Sequence, residues 1–106
     1  MKNTFLKAIN EKKKVKVTFF SKDDGRNIIR LCAPMDFGPS RRAHNKEDRF
    51  HLWDYESDTR NHVLSLLPEQ VVSIEATNEN FDPSEFITWD VSKSPWFYPR
   101  NWGQYS

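Results

Sequence analysis

The segment RFHLWDY occupies residues 49–55, and the segment HVLSLL follows it at residues 62–67. A strand at the rim of a solvated sheet alternates apolar with polar side chains. Here both faces of the two segments are largely apolar. The pattern therefore predicts two paired strands whose second face is covered by the chain's own tail, by a partner or by a ligand.

The turn between these two strands sets their register. A turn at residues 56–60 places Leu52 opposite Leu64 and Phe50 opposite Leu66, so that one face of the pair is typical of a core. The other face then carries His51, Trp53, Tyr55, Val63 and Ser65. This second face is the one that needs cover.

Two more strands precede this pair and one follows it. Residues 15–19 alternate apolar with polar, Asp24-Gly25 favours a hairpin turn, and residues 26–33 return as a strand that ends at Pro34. Residues 68–70 form a helical turn and residues 71–77 the fifth strand. The sequence thus predicts a mainly β fold, a five-stranded antiparallel SH3-like or Sm-like barrel.

A short helix precedes the first strand. Asn3 or Thr4 is its expected cap, and Phe5 and Ile9 share its apolar face. The lysine run at residues 12–14 lies at the negative C-terminal end of this helix, which explains it on structural grounds. A nucleic-acid-binding arm is the less favoured alternative, because three lysines neutralise few phosphates.

The last 26 residues hold eight of the fifteen aromatic side chains. Asp82-Pro83-Ser84-Glu85 is a capping box with proline at the first helical position, so a short helix begins there. Pro95, Pro99 and Gly103 prevent a longer one. We expect an extended aromatic strap with no core of its own.

We assign residues 1–79 to the barrel with its helix and residues 80–106 to the strap, both within one domain. The favoured interpretation is that the strap packs on its own barrel, where each aromatic ring could bury about 150–250 Å². The alternative is a protein-interaction or self-assembly module in which the strap meets a protein partner or a second copy through Trp89, Trp96, Phe97 and Trp102.

Charge is distributed unevenly although the net charge is only +1. Residues 1–53 contain 13 lysines and arginines against 6 acids, whereas residues 54–90 contain one arginine against 9 acids. The two halves could pair on folding, which is the favoured interpretation, or the first half could steer an anionic partner.

The chain has one cysteine and no apolar stretch long enough to span a membrane. Cys32 cannot form an internal disulfide, which fits a reducing compartment. The N-terminal residues lack the apolar run of a signal peptide. We therefore expect a cytoplasmic protein with no membrane association.

Catalytic and metal-binding motifs are not evident. The register places Asp54 beside His62, one part of a general-base pair, but no activated nucleophile accompanies them. Cys32 is expected to be a buried hydrophobe. The three histidines lack zinc-ligand spacing, and there is no glycine-rich phosphate loop. We expect no enzyme, metal or cofactor, with hydrolysis at Asp54 and His62 as the weakest alternative.

Residues 34–48 read as a long polar loop with basic side chains. Loops this long in so small a domain are more often functional or disordered than idle. Arginine supplies charge for phosphate and aromatic rings supply faces for bases, as in single-strand binders. Local neutralisation of the loop by Glu47 and Asp48 is an equally plain alternative. The predicted site for a single-stranded nucleic acid or nucleotide consists of Arg41, Arg42, His44, Arg49, His51, Trp53 and Tyr55.

The order of features along residues 5–77 resembles the WYL domain, a bacterial family named for a Trp-Tyr-Leu triplet. The matching segments are Ala8-Ile9, Val15-Lys16-Val17-Thr18-Phe19, Ala33-Pro34, Phe50-His51-Leu52 and Val71-Val72-Ser73-Ile74-Glu75. The resemblance implies an SH3-like or Sm-like barrel. It also implies ligand sensing, often of nucleic acid or nucleotide, through basic and aromatic residues.

The chain departs from the family at several positions. Of the Trp-Tyr-Leu triplet, only the leucine is present, as Leu52. Leu64-Ser65-Leu66 stands where the family commonly has Phe-Arg-Leu. Family members usually follow a helix-turn-helix domain, which residues 1–14 do not contain, so control of transcription is not carried over. The tail resembles that of small stand-alone bacterial proteins. We therefore expect a non-enzymatic ligand-sensing or ligand-binding module.

Overall fold

A computed structural model describes every residue from Met1 to Ser106. The elements are α1 (Lys2–Glu11), β1 (Lys13–Ser21), β2 (Arg26–Pro39), β3 (Asp48–Asp54), β4 (Val63–Leu66) and β5 (Val71–Asn80), with 3-10 turns at Pro68–Gln70, Pro83–Glu85 and Gly103–Tyr105. The five strands form one antiparallel sheet in the order β4-β3-β2-β1-β5. No ladder joins β4 to β5, so the sheet is open. The mainly β fold with a five-stranded antiparallel sheet is confirmed.

The apolar face of α1 packs on the sheet as predicted. Phe5, Ala8 and Ile9 are buried. The ring of Phe5 lies edge to face against that of Phe50 on β3, with centroids 4.9 Å apart. This contact joins the helix to the core face of the strand pair.

The two ends of α1 differ from the prediction in one respect. The helix begins at Lys2 with Met1 as its N-cap, so the assignment of Asn3 or Thr4 as the cap was wrong. Lys12 ends the helix in the left-handed conformation, with φ 55°. The chain therefore turns directly into β1, and the lysine run lies at the helix C-terminus as expected.

The predicted register of β3 and β4 is confirmed. Phe50 pairs with Leu66 and Leu52 pairs with Leu64. Phe50, Leu52 and Leu66 are buried, whereas Val63 on the opposite face remains 43% exposed. The strand pair therefore buries one face in the core, and its second face is only partly covered.

β2 is longer than the sequence indicated. We expected the strand to end at Ala33 and residues 34–48 to form a loop, and this was wrong because β2 continues to Pro39. Its first half pairs with β1 and its second half with β3. The register shifts between Pro34 and Asp36, and such a bulge accommodates a proline that has no N–H to donate. The connecting loop is shortened to residues 40–47.

The tail packs on its own chain. Phe81, Phe86 and Trp102 are buried in the same core cluster as the strands. The indole Nε1 of Trp102 donates to the carbonyl of Ile9 at 2.9 Å. The capping box at Asp82 is present, but it begins only a 3-10 turn. Phe86 also stacks on Trp53, so the tail covers part of the second face of the β3–β4 pair.

A buried carboxylate on β2 holds the tail in place. Asp36 is 6% exposed, and its oxygens accept the backbone N–H groups of Phe97 and Tyr98 at 2.9 Å each. The guanidinium of Arg100 donates to the same carboxylate at 3.1 Å. We name Asp36 and Arg100 the tail anchor.

The Arg100 side chain is fully buried, with 0% of its surface exposed. It also donates to the carbonyls of Met35 and Tyr98. Its guanidinium lies 4.1 Å from the ring centroid of Trp96 and 4.4 Å from that of Trp102. Burial lowers the pKa of Arg100 to about 10, against the opposing effect of the Asp36 charge. The side chain is therefore charged at neutral pH.

We predict that Arg100→Ala lowers the free energy of unfolding by about 3–5 kcal/mol, because Asp36 is left buried without its counter-charge. Urea denaturation followed by circular dichroism measures this. The matched control is Arg26→Ala, whose exposed side chain predicts a change within about 0.5 kcal/mol. Equal free energies of unfolding for the two variants would contradict the stabilising role of the tail anchor.

Candidate functional site

A cleft of about 630 Å³ opens on the second face of the β3–β4 pair. Its floor includes His51 and Trp53 of β3 and Val63 and Ser65 of β4. Residues 39–42 form one wall, and Trp89 with residues 94–97 of the tail forms the other. The site is therefore built from the sheet, the basic loop and the tail together.

Four of the seven residues predicted from the sequence line this cleft. They are Arg41, Arg42, His51 and Trp53. Trp53 and His51 are placed there by the alternation of β3, which directs Phe50 and Leu52 to the core. The arginines are placed there because β2 extends to Pro39, which brings the start of the loop beside the strand pair.

The other three predicted residues lie outside the cleft. His44 is exposed in the loop, and Arg49 is half-buried with a buried Nε that has no hydrogen-bond partner. The hydroxyl of Tyr55 donates to Glu85 at 3.3 Å, and Lys14 Nζ lies 4.3 Å from the Tyr55 ring centroid. Burial and then the Glu85 charge raise the pKa of Tyr55.

The two cleft arginines have different surroundings. Arg41 donates to the carbonyl of Pro95 at 2.8 Å and lies 4.7 Å from the ring centroid of Phe97. It therefore ties the loop to the tail. The side chain of Arg42 is exposed and has no hydrogen bond, ion pair or ring contact within the protein. Arg42 is thus the cleft cation that is available to a ligand.

His51 is held by hydrogen bonds at both ring nitrogens. Nε2 lies 2.8 Å from the carbonyl of Gly38, and Nδ1 lies 2.8 Å from the hydroxyl of Ser65. Since a carbonyl can only accept, Nε2 carries a proton. His51 therefore crosslinks β2, β3 and β4, and it offers its ring rather than a free nitrogen to the cleft.

Neighbouring rings cover part of the stacking surface of the Trp53 indole. Its indole stacks on His62 with centroids 4.8 Å apart and on Phe86 with centroids 5.9 Å apart, at interplanar angles of 21° and 22°. Some of the stacking surface that the sequence assigned to a ligand is thus used within the protein.

Trp89 is a cleft residue that the ligand-site prediction missed. Its ring is 38% exposed and lies 5.7 Å from that of Trp96 in an edge-to-face arrangement. No periodicity in the tail indicates which strap residue meets which strand, because the segment has no regular structure beyond short 3-10 turns.

Close packing of the tail wall depends on Gly38. A Cβ at this position would lie 2.7 Å from ring carbons of Phe97. The absence of a side chain lets the tail approach β2 closely enough to form the wall.

The weakest alternative, hydrolysis at Asp54 and His62, has no geometric support. The carboxylate of Asp54 pairs with Arg30 at 3.3 Å and accepts the N–H of Glu56 at 2.9 Å. His62 Nδ1 instead lies 2.8 Å from the backbone carbonyl of Asp54. The carboxylate therefore does not orient the imidazole.

No three histidine, cysteine, aspartate or glutamate side chains are grouped so that they could hold a metal ion. None of the helices has the length and apolar character needed to cross a membrane. Comparison of the chain with family models, with curated proteins and with solved structures finds no match.

We predict that the Cys32 thiol does not react with a disulfide reagent in the folded protein. Cys32 is fully buried, and burial followed by the charges of Asp54 and Glu56 raises its pKa. Absorbance after addition of the reagent at mildly alkaline pH measures the reaction, which should become complete in denaturant.

The matched control places a thiol at an exposed position: Ser84→Cys in a Cys32→Ala background. This protein should react at once without denaturant. Rapid reaction of native Cys32 would show that the core face of the sheet is open to solvent.

Proposed function

We propose that this protein is a non-enzymatic binding module with a regulatory or sensing role, for an anionic ligand such as a nucleotide or single-stranded nucleic acid. The observation that carries the proposal is that Arg41, Arg42, His51 and Trp53 line one cleft, with Arg42 unpartnered. Cationic and aromatic side chains in one concave site match the needs of a ligand that has phosphate and base.

The electrostatics of the cleft favour an anion. Asp36 also lines it, but its carboxylate is hydrogen-bonded to two tail amides and paired with Arg100. The acidic charge is therefore balanced within the protein. Arg41 and Arg42 add two further positive charges at the loop wall.

We further propose a small barrel of the SH3 or Sm type and membership of the WYL family, over residues 5–77. What supports the barrel is that β2 is shared between β1 and β3, while Pro68–Gln70 makes a tight link from β4 to β5. We place the protein in the cytoplasm, which the unpaired Cys32 favours.

We predict that Arg42→Ala weakens binding of a fluorescent single-stranded oligonucleotide and of a fluorescent nucleotide by about tenfold or more at low salt. A hydrogen bond to a charged group contributes enough for such a change. Fluorescence anisotropy across a salt series measures the affinity and its salt dependence.

Arg26→Ala is the matched control for Arg42→Ala, because it removes an exposed arginine far from the cleft along β2. It should bind as the unaltered protein does. Absence of binding by the unaltered protein at low salt, or equal affinities of the two variants, would refute the proposal.

The second candidate function is a protein-interaction or self-assembly module that uses the tail. Trp102 is buried and Trp96 is half-buried with its Nε1 bonded to the carbonyl of Tyr105 at 2.7 Å. Trp89 and Phe97 remain 38% and 45% exposed. Only these last two of the four strap residues present a large apolar surface to a partner.

If the tail mediates self-assembly, light scattering should give a mass above that of one chain, and Trp89→Ala/Phe97→Ala should return it to one chain. Both substitutions remove partly exposed rings, and the backbone hydrogen bond from Phe97 to Asp36 remains, so the fold should persist by circular dichroism. A single-chain mass for the unaltered protein at high concentration would rule out self-assembly through the tail.

A further inference from the structure

The size and shape of the cleft limit what can occupy it. Its volume of about 630 Å³ is in the range of sites that enclose one small molecule, roughly 300–1,000 Å³. Grooves that bind single strands instead follow the backbone over about 4–16 nucleotides. The cleft ends at the tail wall, where Pro95 and Phe97 meet Arg41.

The supply of free positive charge is also small. Arg42 is unpartnered, whereas Arg41 is bonded to Pro95. Lys46 donates to the carbonyls of Ser40 and Arg41 at 3.1 and 3.3 Å, so it serves to close the loop. The free guanidinium of Arg42, together with the N–H groups of Arg41 that Pro95 does not use, is enough to bind a single phosphate group.

One aromatic ring of the tail wall is exposed in the same cleft as these arginines. Trp89 lies on the tail wall and presents 38% of its surface, whereas Trp53 is engaged with His62 and Phe86. Trp96 supports Trp89 edge to face on the protein side. Trp89 is thus the ring with room to stack on a planar group.

We propose that the cleft takes a mononucleotide, with its base on Trp89 and its single phosphate on Arg42. This inference rests on the proposed anion-binding function and narrows it from polymers to one nucleotide. It assigns the base-recognising role to the tail, outside the segment that carries the family resemblance.

Isothermal titration calorimetry at low salt with adenosine 5′-monophosphate, ribose 5-phosphate and a single-stranded ten-nucleotide oligoadenylate tests the proposal. The mononucleotide should bind about tenfold or more tightly than ribose 5-phosphate, as stacking of one base allows. The oligonucleotide, corrected for its ten nucleotides, should bind no more tightly than the mononucleotide, and salt should weaken both only shallowly.

Two variants separate the roles of the base and the phosphate. Trp89→Ala should remove the preference for the mononucleotide over ribose 5-phosphate, while Arg42→Ala should weaken both. Phe20→Ala is the matched control, since this ring is 44% exposed on β1 and does not line the cleft. It should leave all affinities unchanged, and circular dichroism verifies that each variant is folded.

The outcomes distinguish the two levels of the proposal. Equal binding of ribose 5-phosphate and the mononucleotide, or an oligonucleotide that binds far more tightly with a steep salt dependence, would overturn the mononucleotide assignment and leave anion binding intact. No binding of any probe at low salt would overturn the anion-binding function and this inference with it.

Discussion

The carboxylate of Asp36 lies within β2 and has almost no exposed surface, yet it carries a charge that must be compensated. Its counter-charge comes from the tail, as the buried guanidinium of Arg100, and the tail amides of Phe97 and Tyr98 add two hydrogen bonds to the one from Phe37 of β2. Breaking such a pair costs far more than replacing it, because one charge remains buried and alone. The tail is therefore confined to one position on the sheet, although it has no regular secondary structure to direct it.

That confinement determines the shape of the cleft. The tail binds β2 at the carbonyl of Met35 and the carboxylate of Asp36, whereas His51 and Val63 line the open cleft beside it. The result is a concave site whose floor is the sheet and whose walls are the tail and the loop. The unpartnered Arg42 on the loop wall and the Asp36–Arg100 anchor that holds the tail wall are thus parts of one unit, so the geometry of the cleft depends on groups such as Arg100 that do not line it.

Local patterns were sufficient where strand alternation and turn length act over short distances. The β3–β4 register follows from the turn at residues 56–60 and from the apolar residues that must face the core. The same alternation placed His51 and Trp53 in the candidate site. Local patterns did not predict the full length of β2. Pro34 is typical of a strand end, whereas a bulge lets the strand continue past it. The alternation also did not show that His62 and Phe86 stack on Trp53, which lines the cleft as predicted.

The sequence by itself determined the mainly β class, five antiparallel strands, the face of α1 that is buried and four of the residues that line the cleft. These follow from periodicity and short-range sterics. Only the tertiary structure decided where the tail lies, that Arg42 and not Arg41 is free, and that Trp89 completes the site. These depend on contacts between residues more than 50 positions apart, such as Arg41 with Pro95 at a separation of 54 and Asp36 with Arg100 at 64. No local sequence pattern predicts such contacts. Their stabilising free energy comes from burial and charge compensation, which exist only once the chain has folded.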